Sequence, residues 1–319
     1  MTDGICLSIV IPIYNAGAYL RQCLESLLAS DGIEDTEIIL VNDGSSDDSG
    51  AIAEEYAAGH SNITVFHKEN GGPSAARNLG IKVSTGKYVF FCDADDTVDS
   101  VLFGNVLKTV ESSSYDIILW DAELVYETWN LLMPKHRGLF AHKGLEKEER
   151  TYSGSELIET MLMNRGDFIS AVWLGAYRRD YLTDNGFLFK DGIILEDELW
   201  APGVFLNAES VRYIPLQIYR YRIHNDSIMN PANGDRSNSI EAVMYIYPTL
   251  YDYCDEILTG APVKELFEGN LTKKYLRAIY KYRVFLKGYG NMIDKKRLWK
   301  KSRSLSDKIL VLFLYVVAH

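Results

Sequence analysis

Asp93, Asp95 and Asp96 stand within four residues of one another, directly after the apolar run Tyr88-Val89-Phe90-Phe91-Cys92. Carboxylates crowded in this way repel, and a cation among them relieves the repulsion. Hard oxygen ligands suit Mg²⁺ or Mn²⁺, which take one or two protein carboxylates and fill their remaining positions with water and phosphate oxygens. The cluster therefore points to a metal–diphosphate site, against the plainer alternative of a solvated turn that caps the next helix. In Asn70-Gly71-Gly72-Pro73-Ser74-Ala75-Ala76-Arg77-Asn78 a glycine-rich turn opens a helix. Free N–H groups at a helix start attract anions, and an arginine can fork onto phosphate oxygens. An ordinary loop followed by a helix start is the alternative there. His224 is a further candidate, either as an additional metal ligand or phosphate contact, or as a plain surface residue.

These groups meet only if the chain supplies a sheet whose strands end side by side. The run before Asp93 lacks the apolar/polar alternation of a half-exposed strand and reads as a strand buried on both faces. Ligands of open α/β sheets bind at the carboxyl ends of such strands, where the acids lie. Residues 7–13 form a similar apolar run containing Pro12, followed by Leu20, Cys23, Leu24, Leu27 and Leu28 at helical spacing. Residues 37–41 and 63–66 read as further strands, with a helix carrying Ile52, Ala53 and Tyr56 between them. Strand and helix alternate, the pattern of a parallel sheet with right-handed crossovers. Leu102, Phe103, Val106, Leu107 and Val110 predict another helix, residues 115–126 a long strand, and residues 152–163 a helix. Residues 131–150 mix Pro, Gly, His and charge without periodicity and read as a long loop, assigned to the acceptor side.

The chain of 319 residues has room for one large α/β domain with a smaller appendage. Its net charge of −11 argues against general nucleic-acid binding. That average hides an asymmetry, because residues 271–308 carry thirteen Lys and Arg against Asp294 and Asp307. Cys6, Cys23, Cys92 and Cys254 show no paired spacing and read as buried thiols of a reducing compartment. The N-terminus lacks the basic segment of a signal peptide, and no apolar run approaches the roughly 20 residues of a membrane span. A cytoplasmic location is expected.

Four segments now carry a resemblance. Ser8-Ile9-Val10-Ile11-Pro12-Ile13-Tyr14-Asn15, Val41-Asn42-Asp43-Gly44-Ser45-Ser46-Asp47, Gly71-Gly72-Pro73-Ser74-Ala75-Ala76-Arg77-Asn78 and Phe91-Cys92-Asp93-Ala94-Asp95-Asp96 resemble, in order and spacing, the donor half of family 2 inverting glycosyltransferases. The resemblance implies a GT-A fold, a Rossmann-like and mostly parallel sheet with helices on both faces. It implies that Pro12, Tyr14 and Asp43 line a nucleobase pocket, with Asp43 accepting the imide N–H of uracil, and that Asn15 and Ala94 also contact the nucleotide. Arg77 would approach the diphosphate, Asp93 would hold the ribose, and Asp95 would ligate Mn²⁺ or Mg²⁺. Further on, Ile194-Leu195-Glu196-Asp197-Glu198-Leu199-Trp200 resembles the family's Glu-Asp signature, which makes Asp197 the base that takes the acceptor proton. Trp173-Leu174-Gly175-Ala176-Tyr177-Arg178 resembles a segment in which Asn and Lys are usual where this chain has Leu174 and Gly175. The stretch 213–228, containing His224, resembles the segment that closes the family's catalytic domain.

The expected enzyme is thus a metal-dependent inverting glycosyltransferase. It would move a sugar from a nucleotide-sugar donor, UDP-linked before other nucleotides, to a hydroxyl of a glycan or lipid-linked acceptor of a surface polysaccharide. A sugar nucleotidyltransferase and a non-catalytic nucleotide-sugar-binding protein are the rivals. The first needs a glycine-rich loop followed by Arg near the N-terminus, where this chain has Ile11-Pro12-Ile13-Tyr14-Asn15. Residues 1–230 are assigned to the catalytic domain, with a nucleotide-binding half at 1–100 and an acceptor half at 101–230, and residues 231–319 to a basic helical region. In that region Tyr275, Ile279, Tyr282 and Leu286 recur at helical spacing among lysines and arginines. Such helices either lie on an anionic membrane surface, the favoured reading for residues 271–319, or cap the acidic catalytic domain and make an oligomer contact.

Overall fold

A computed structural model describes residues 4–127, 140–142, 144–145, 150–224, 237–258 and 262–318. Most of the loop expected at 131–150 lies outside these residues, as does the part of the closing segment after His224. Strands β1 (Leu7–Ile13), β2 (Thr36–Asn42), β3 (Ile63–His67) and β4 (Tyr88–Phe91) alternate with helices α1 (Leu20–Leu28), α2 (Ser49–Gly59) and α3 (Gly72–Val83). They pair in the order β3-β2-β1-β4, all parallel, with Leu7 opposite both Thr36 and Tyr88. β1 and β4 are buried along almost their whole length, as their unbroken apolar sequences require. α1 turns Leu20, Cys23, Leu24 and Leu27 inward at helical spacing, and each fully buried leucine contributes ~1.5–3 kcal/mol of gross hydrophobic stabilisation. All four cysteines are buried and unpaired, although the Cys23 and Cys92 sulfurs touch at 3.8 Å.

The second half continues the same sheet with mixed polarity. It holds β5 (Thr97–Val98), α4 (Ser100–Ser112), β6 (Ile117–Tyr126), β7 (Thr151–Tyr152), α5 (Gly154–Arg165), β8 (Gly175–Arg178), α6 (Arg179–Asp184), α7 (Glu196–Leu206) and β9 (Val211–Ile223). β8 lies antiparallel between β4 and β6, and β9 runs parallel to β6. The short strands β5 and β7 pair antiparallel with β9. Gly175 is required where β8 crosses β6, because a Cβ there would lie 2.7 Å from the Ile118 carbonyl oxygen. Leu174 beside it is 1% exposed. The two positions where the sequence departs from its family segment are therefore packing positions.

Side chains from distant segments gather at the carboxyl end of β4. Phe189 stacks on Trp200 of α7 with centroids 4.5 Å apart, and both meet Phe91 of β4 edge-on at 5.3 and 5.9 Å. This aromatic wedge sets the first turn of α7 against the end of β4.

Helices α8 (Ser237–Glu256), α9 (Val263–Lys281), α10 (Lys295–Lys301) and α11 (Leu305–Val317) complete the chain. α9 packs on α5 and α8, and α8 on α7. Of the apolar residues expected to form a membrane face, Tyr275 and Ile279 on α9 point into the core, 3% and 0% exposed, whereas Leu286 beyond its end is 63% exposed. Part of the basic charge is paired within the region. Arg297 pairs with Asp252 and Asp255 at 2.7 and 2.6 Å, and Arg303 with Glu265 at 2.8 Å. The exposed apolar face lies instead on α11, where Leu305, Ile309, Leu312, Phe313 and Val316 form one stripe. Among the described residues, no helix is long and apolar enough to cross a membrane.

Candidate active site

The acidic turn after β4 is divided by burial. Asp96 is 1% exposed, its Oδ2 accepting the Tyr219 hydroxyl at 2.6 Å and its Oδ1 the Arg222 N–H at 2.7 Å. Burial, then the neighbouring Asp95 and Asp93 carboxylates, raise its pKa well above the usual aspartate value. Asp96 thereby fastens β9 to the turn, a role no sequence pattern announces. The Tyr219 hydroxyl also accepts the Asp93 N–H at 3.1 Å.

Asp95 remains accessible, and its Oδ2 lies 2.9 Å from His224 Nε2. The imidazole packs against the Tyr19 ring at 4.5 Å, and its Nδ1 is buried without a hydrogen-bond partner among the described residues. Two ligands at about 2.1 Å and right angles on one octahedral ion would stand about 3.0 Å apart, so the pair fits a hard divalent cation. Such an ion takes its other ligands from water and substrate. Among the described residues there is no cluster of three or more His, Cys, Asp or Glu side chains able to hold a metal by themselves.

Arg77, on the second turn of α3, is buried between two carboxylates. Its Nη2 donates to Asp93 Oδ1 at 2.9 Å and its Nη1 to Glu196 Oε1. The guanidinium expected at a diphosphate is thus engaged by protein, with only Nε unpartnered among the described residues. One side chain thereby joins the turn after β4 to the start of α7. Asn78 strengthens the same junction, donating to the Phe189 carbonyl at 2.9 Å and accepting the Phe189 N–H at 2.8 Å.

α7 begins with Glu196, Asp197 and Glu198, and acids in a first helical turn face the positive end of the helix dipole. The chain enters through Leu195 in the left-handed conformation at φ 60°. Such strain in a non-glycine residue costs about 1–3 kcal/mol and persists only where packing enforces it. Asp197 retains partial exposure, and its Oδ1 accepts the Glu198 N–H at 2.9 Å. Desolvation first, then Glu198 and Glu196, push its pKa up to about 7. A carboxylate with that value is poised to take and return a proton near neutrality.

The nucleobase candidates lie along the ends of β1 and β2. Pro12 is half-buried, Tyr14 is 55% exposed, and Asn15 sits at φ 50° with its Oδ1 accepting the Ser46 N–H at 2.8 Å. Asp43 is buried and already accepts the N–H groups of Gly71 and Gly72 at 2.9 and 2.7 Å, together with Lys68 Nζ. An ionised carboxylate offers about four acceptor sites, so about one remains for a ligand N–H. Sequence reading missed Lys68 here, and its position eight residues before Ala76 carries no motif that marks it. Ala94 is buried beneath the acidic turn.

With this geometry in place, comparison with known proteins is informative. The profile described as glycosyl transferase family 2 matches residues 8–181. The Escherichia coli (strain K12) protein named uncharacterized glycosyltransferase YibD is 34% identical over 226 residues, 70% of this chain and 62% of that relative's length. Among solved structures, Staphylococcus aureus TarS 1-349 in complex with UDP-GlcNAc superposes with a TM-score of 0.63 at 19% identity, covering 97% of this chain and 91% of the other. The mannosyltransferase PcManGT of Pyrobaculum calidifontis, in complex with GDP-Man and Mn²⁺, has a TM-score of 0.59 at 14% identity, covering 99% and 81%. At those identities the structural likeness speaks to fold alone.

Proposed function

Since the chain belongs to glycosyl transferase family 2, we propose that it is a metal-dependent inverting hexosyltransferase. It takes a nucleotide-sugar donor, a UDP-sugar before others, and transfers the sugar to a hydroxyl of a glycan or lipid-linked acceptor in surface polysaccharide synthesis. The observation that carries this reading is Arg77, whose ion pairs with Asp93 and Glu196 bring the acidic turn and the start of α7 into one site.

In this reading the exposed Tyr14 ring, with Pro12 and Asn15, covers the base, and the remaining acceptor site of Asp43 takes its imide N–H. Asp93 and Ala94 hold the ribose. Asp95 and His224 would hold Mn²⁺ or Mg²⁺, which supplies charge stabilisation to the departing diphosphate. Asp197 removes the acceptor proton as the acceptor oxygen forms its bond to the anomeric carbon and the diphosphate oxygen leaves from the opposite face. That geometry inverts the anomeric centre. A positioned base of this kind contributes roughly 10²–10⁴-fold.

The test is nucleotide release from a panel of UDP- and GDP-sugars with Mn²⁺. Release by the parent protein that is lost in Asp197→Asn supports the proposal. No turnover across the panel, together with no UDP uptake by calorimetry, overturns it.

We place the protein in the cytoplasm, peripheral on the inner face of the membrane. Four buried, unpaired thiols fit a reducing compartment. The α11 stripe supplies apolar contact, with Lys308 beside it over the Trp299 ring at 5.5 Å and Lys295 over Tyr315 at 5.8 Å. Sedimentation with phosphatidylglycerol vesicles at low salt, lost in Leu312→Glu/Phe313→Glu, is the expected result. Equal sedimentation of the variant refutes it.

A further inference from the structure

Of the three successive carboxylates that open α7, two have a cation of their own. Glu196 is paired with Arg77 of α3. Glu198 is paired with Lys274 of α9, whose Nζ lies 2.9 and 3.1 Å from the two carboxylate oxygens. The same Nζ reaches the Phe168 carbonyl at 3.2 Å and Asp167 at 3.6 Å. One turn earlier on α9, Asn270 donates to the Gly166 carbonyl at 3.2 Å and to Asp167 Oδ1 at 3.3 Å. α9 thus grips the 166–168 turn and the start of α7 together. Asp197, between the two paired glutamates, makes no ion pair among the described residues.

We propose that Lys274 is a positioning residue for sugar transfer, holding Glu198 in an ion pair beside Asp197 and so making α9 a working part of the catalytic centre. The proposal rests on the reading of Asp197 as the base. The charged and titratable groups facing Asp197 are Glu196 and Glu198 on its own helix, Arg77 from α3, Tyr177 from β8 and Lys274 from α9. Tyr247 of α8 faces Glu198. Lys274 is a cation whose loss would leave Glu198 uncompensated. Negative charge next to Asp197 would then favour its protonated form.

Two readouts separate the proposal from its premise. The first is a carbon-13 NMR titration of aspartate-labelled full-length protein, in which the resonance absent from Asp197→Asn identifies Asp197. In Lys274→Met the midpoint is expected to rise by about one pH unit, with turnover at neutral pH down about fivefold. Lys274→Arg restores both. Glu198→Gln moves the midpoint downward, and this variant decides the matter if Lys274→Met does not fold. The second readout is nucleotide release from UDP-glucose, UDP-galactose, UDP-GlcNAc and GDP-mannose with Mn²⁺. An unmoved midpoint in Lys274→Met, or in Glu198→Gln where the former is unfolded, overturns the proposal even when Asp197→Asn is inactive. An Asp197→Asn variant as active as the parent overturns the base assignment and this proposal with it.

Discussion

Methionine in place of Arg77 would keep the buried aliphatic stem and delete the charge between Asp93 and Glu196. Removing one partner of a buried ion pair costs about 3–5 kcal/mol, because the other charge is left in a poorly solvating place. Arg77 has two such partners, yet the raised Asp93 can take up a proton once orphaned, so the expected loss near neutral pH is about 4 kcal/mol rather than twice that. Against a typical total of about 5–15 kcal/mol the change is large and readable by urea unfolding. The pH dependence has a definite sign. Asp93 is raised above its ordinary value, by burial first, with Arg77 opposing. Without Arg77 the folded state binds protons still more readily than the unfolded chain, so the variant loses stability as pH rises through the folded value. The gap between parent and Arg77→Met should therefore widen as pH rises above the ordinary aspartate range. Glu196→Gln in the variant background should recover part of the loss, as expected for coupled neighbours. An Arg77→Met protein within about 1 kcal/mol of the parent at neutral pH, or a gap independent of pH, would refute the assignment of Arg77 as the joint of the site.

With Asp197 at about 7, transfer should fall about tenfold per pH unit on the acid side and level off on the alkaline side, measured as nucleotide release under saturating donor. Asp197→Asn should reduce release by roughly 10²–10⁴-fold while leaving UDP binding intact by calorimetry. His224→Ala should weaken Mn²⁺ binding in the presence of UDP by at least about tenfold without lowering the unfolding temperature, and unchanged affinity would leave Asp95 as the metal contact alone. Gly175→Ala should destabilise by about 1–3 kcal/mol in urea unfolding, since its Cβ would stand 2.7 Å from the Ile118 carbonyl oxygen.

What the sequence revealed and what it concealed follow one physical line. Strand β1 falls on the apolar run at 7–13, and α1 buries Leu20, Cys23, Leu24 and Leu27 as their spacing requires, because both patterns are local. The loop motifs were legible for a related reason: glycines and acids at strand ends are short-range signals. The α/β fold was readable from the alternation of elements, whereas the antiparallel insertion of β8 between β4 and β6 was not, since four residues carry no mark of their neighbours. The ion pair between Arg77 and Glu196 was not legible, because nothing near Arg77 in sequence reveals a partner 119 residues away. The basic stretch at 271–308 read as a surface for the same reason. Its acidic partners on α8 and α9 become visible only when the helices stack.

The Asp95 and His224 side chains meet across 129 residues of chain, and the strand that delivers His224 is tied in place by Tyr219 and Asp96. Long loops must close before such a contact exists, and pairings between distant segments form late and slowly. The proposed divalent-ion site is therefore complete only after β9 docks. A nascent chain stopped short of residue 224 would hold the acidic turn without its imidazole. If Asp95 and His224 hold the ion as proposed, its capture reports the docking of β9, ahead of the helices α8 to α11 that follow in the chain.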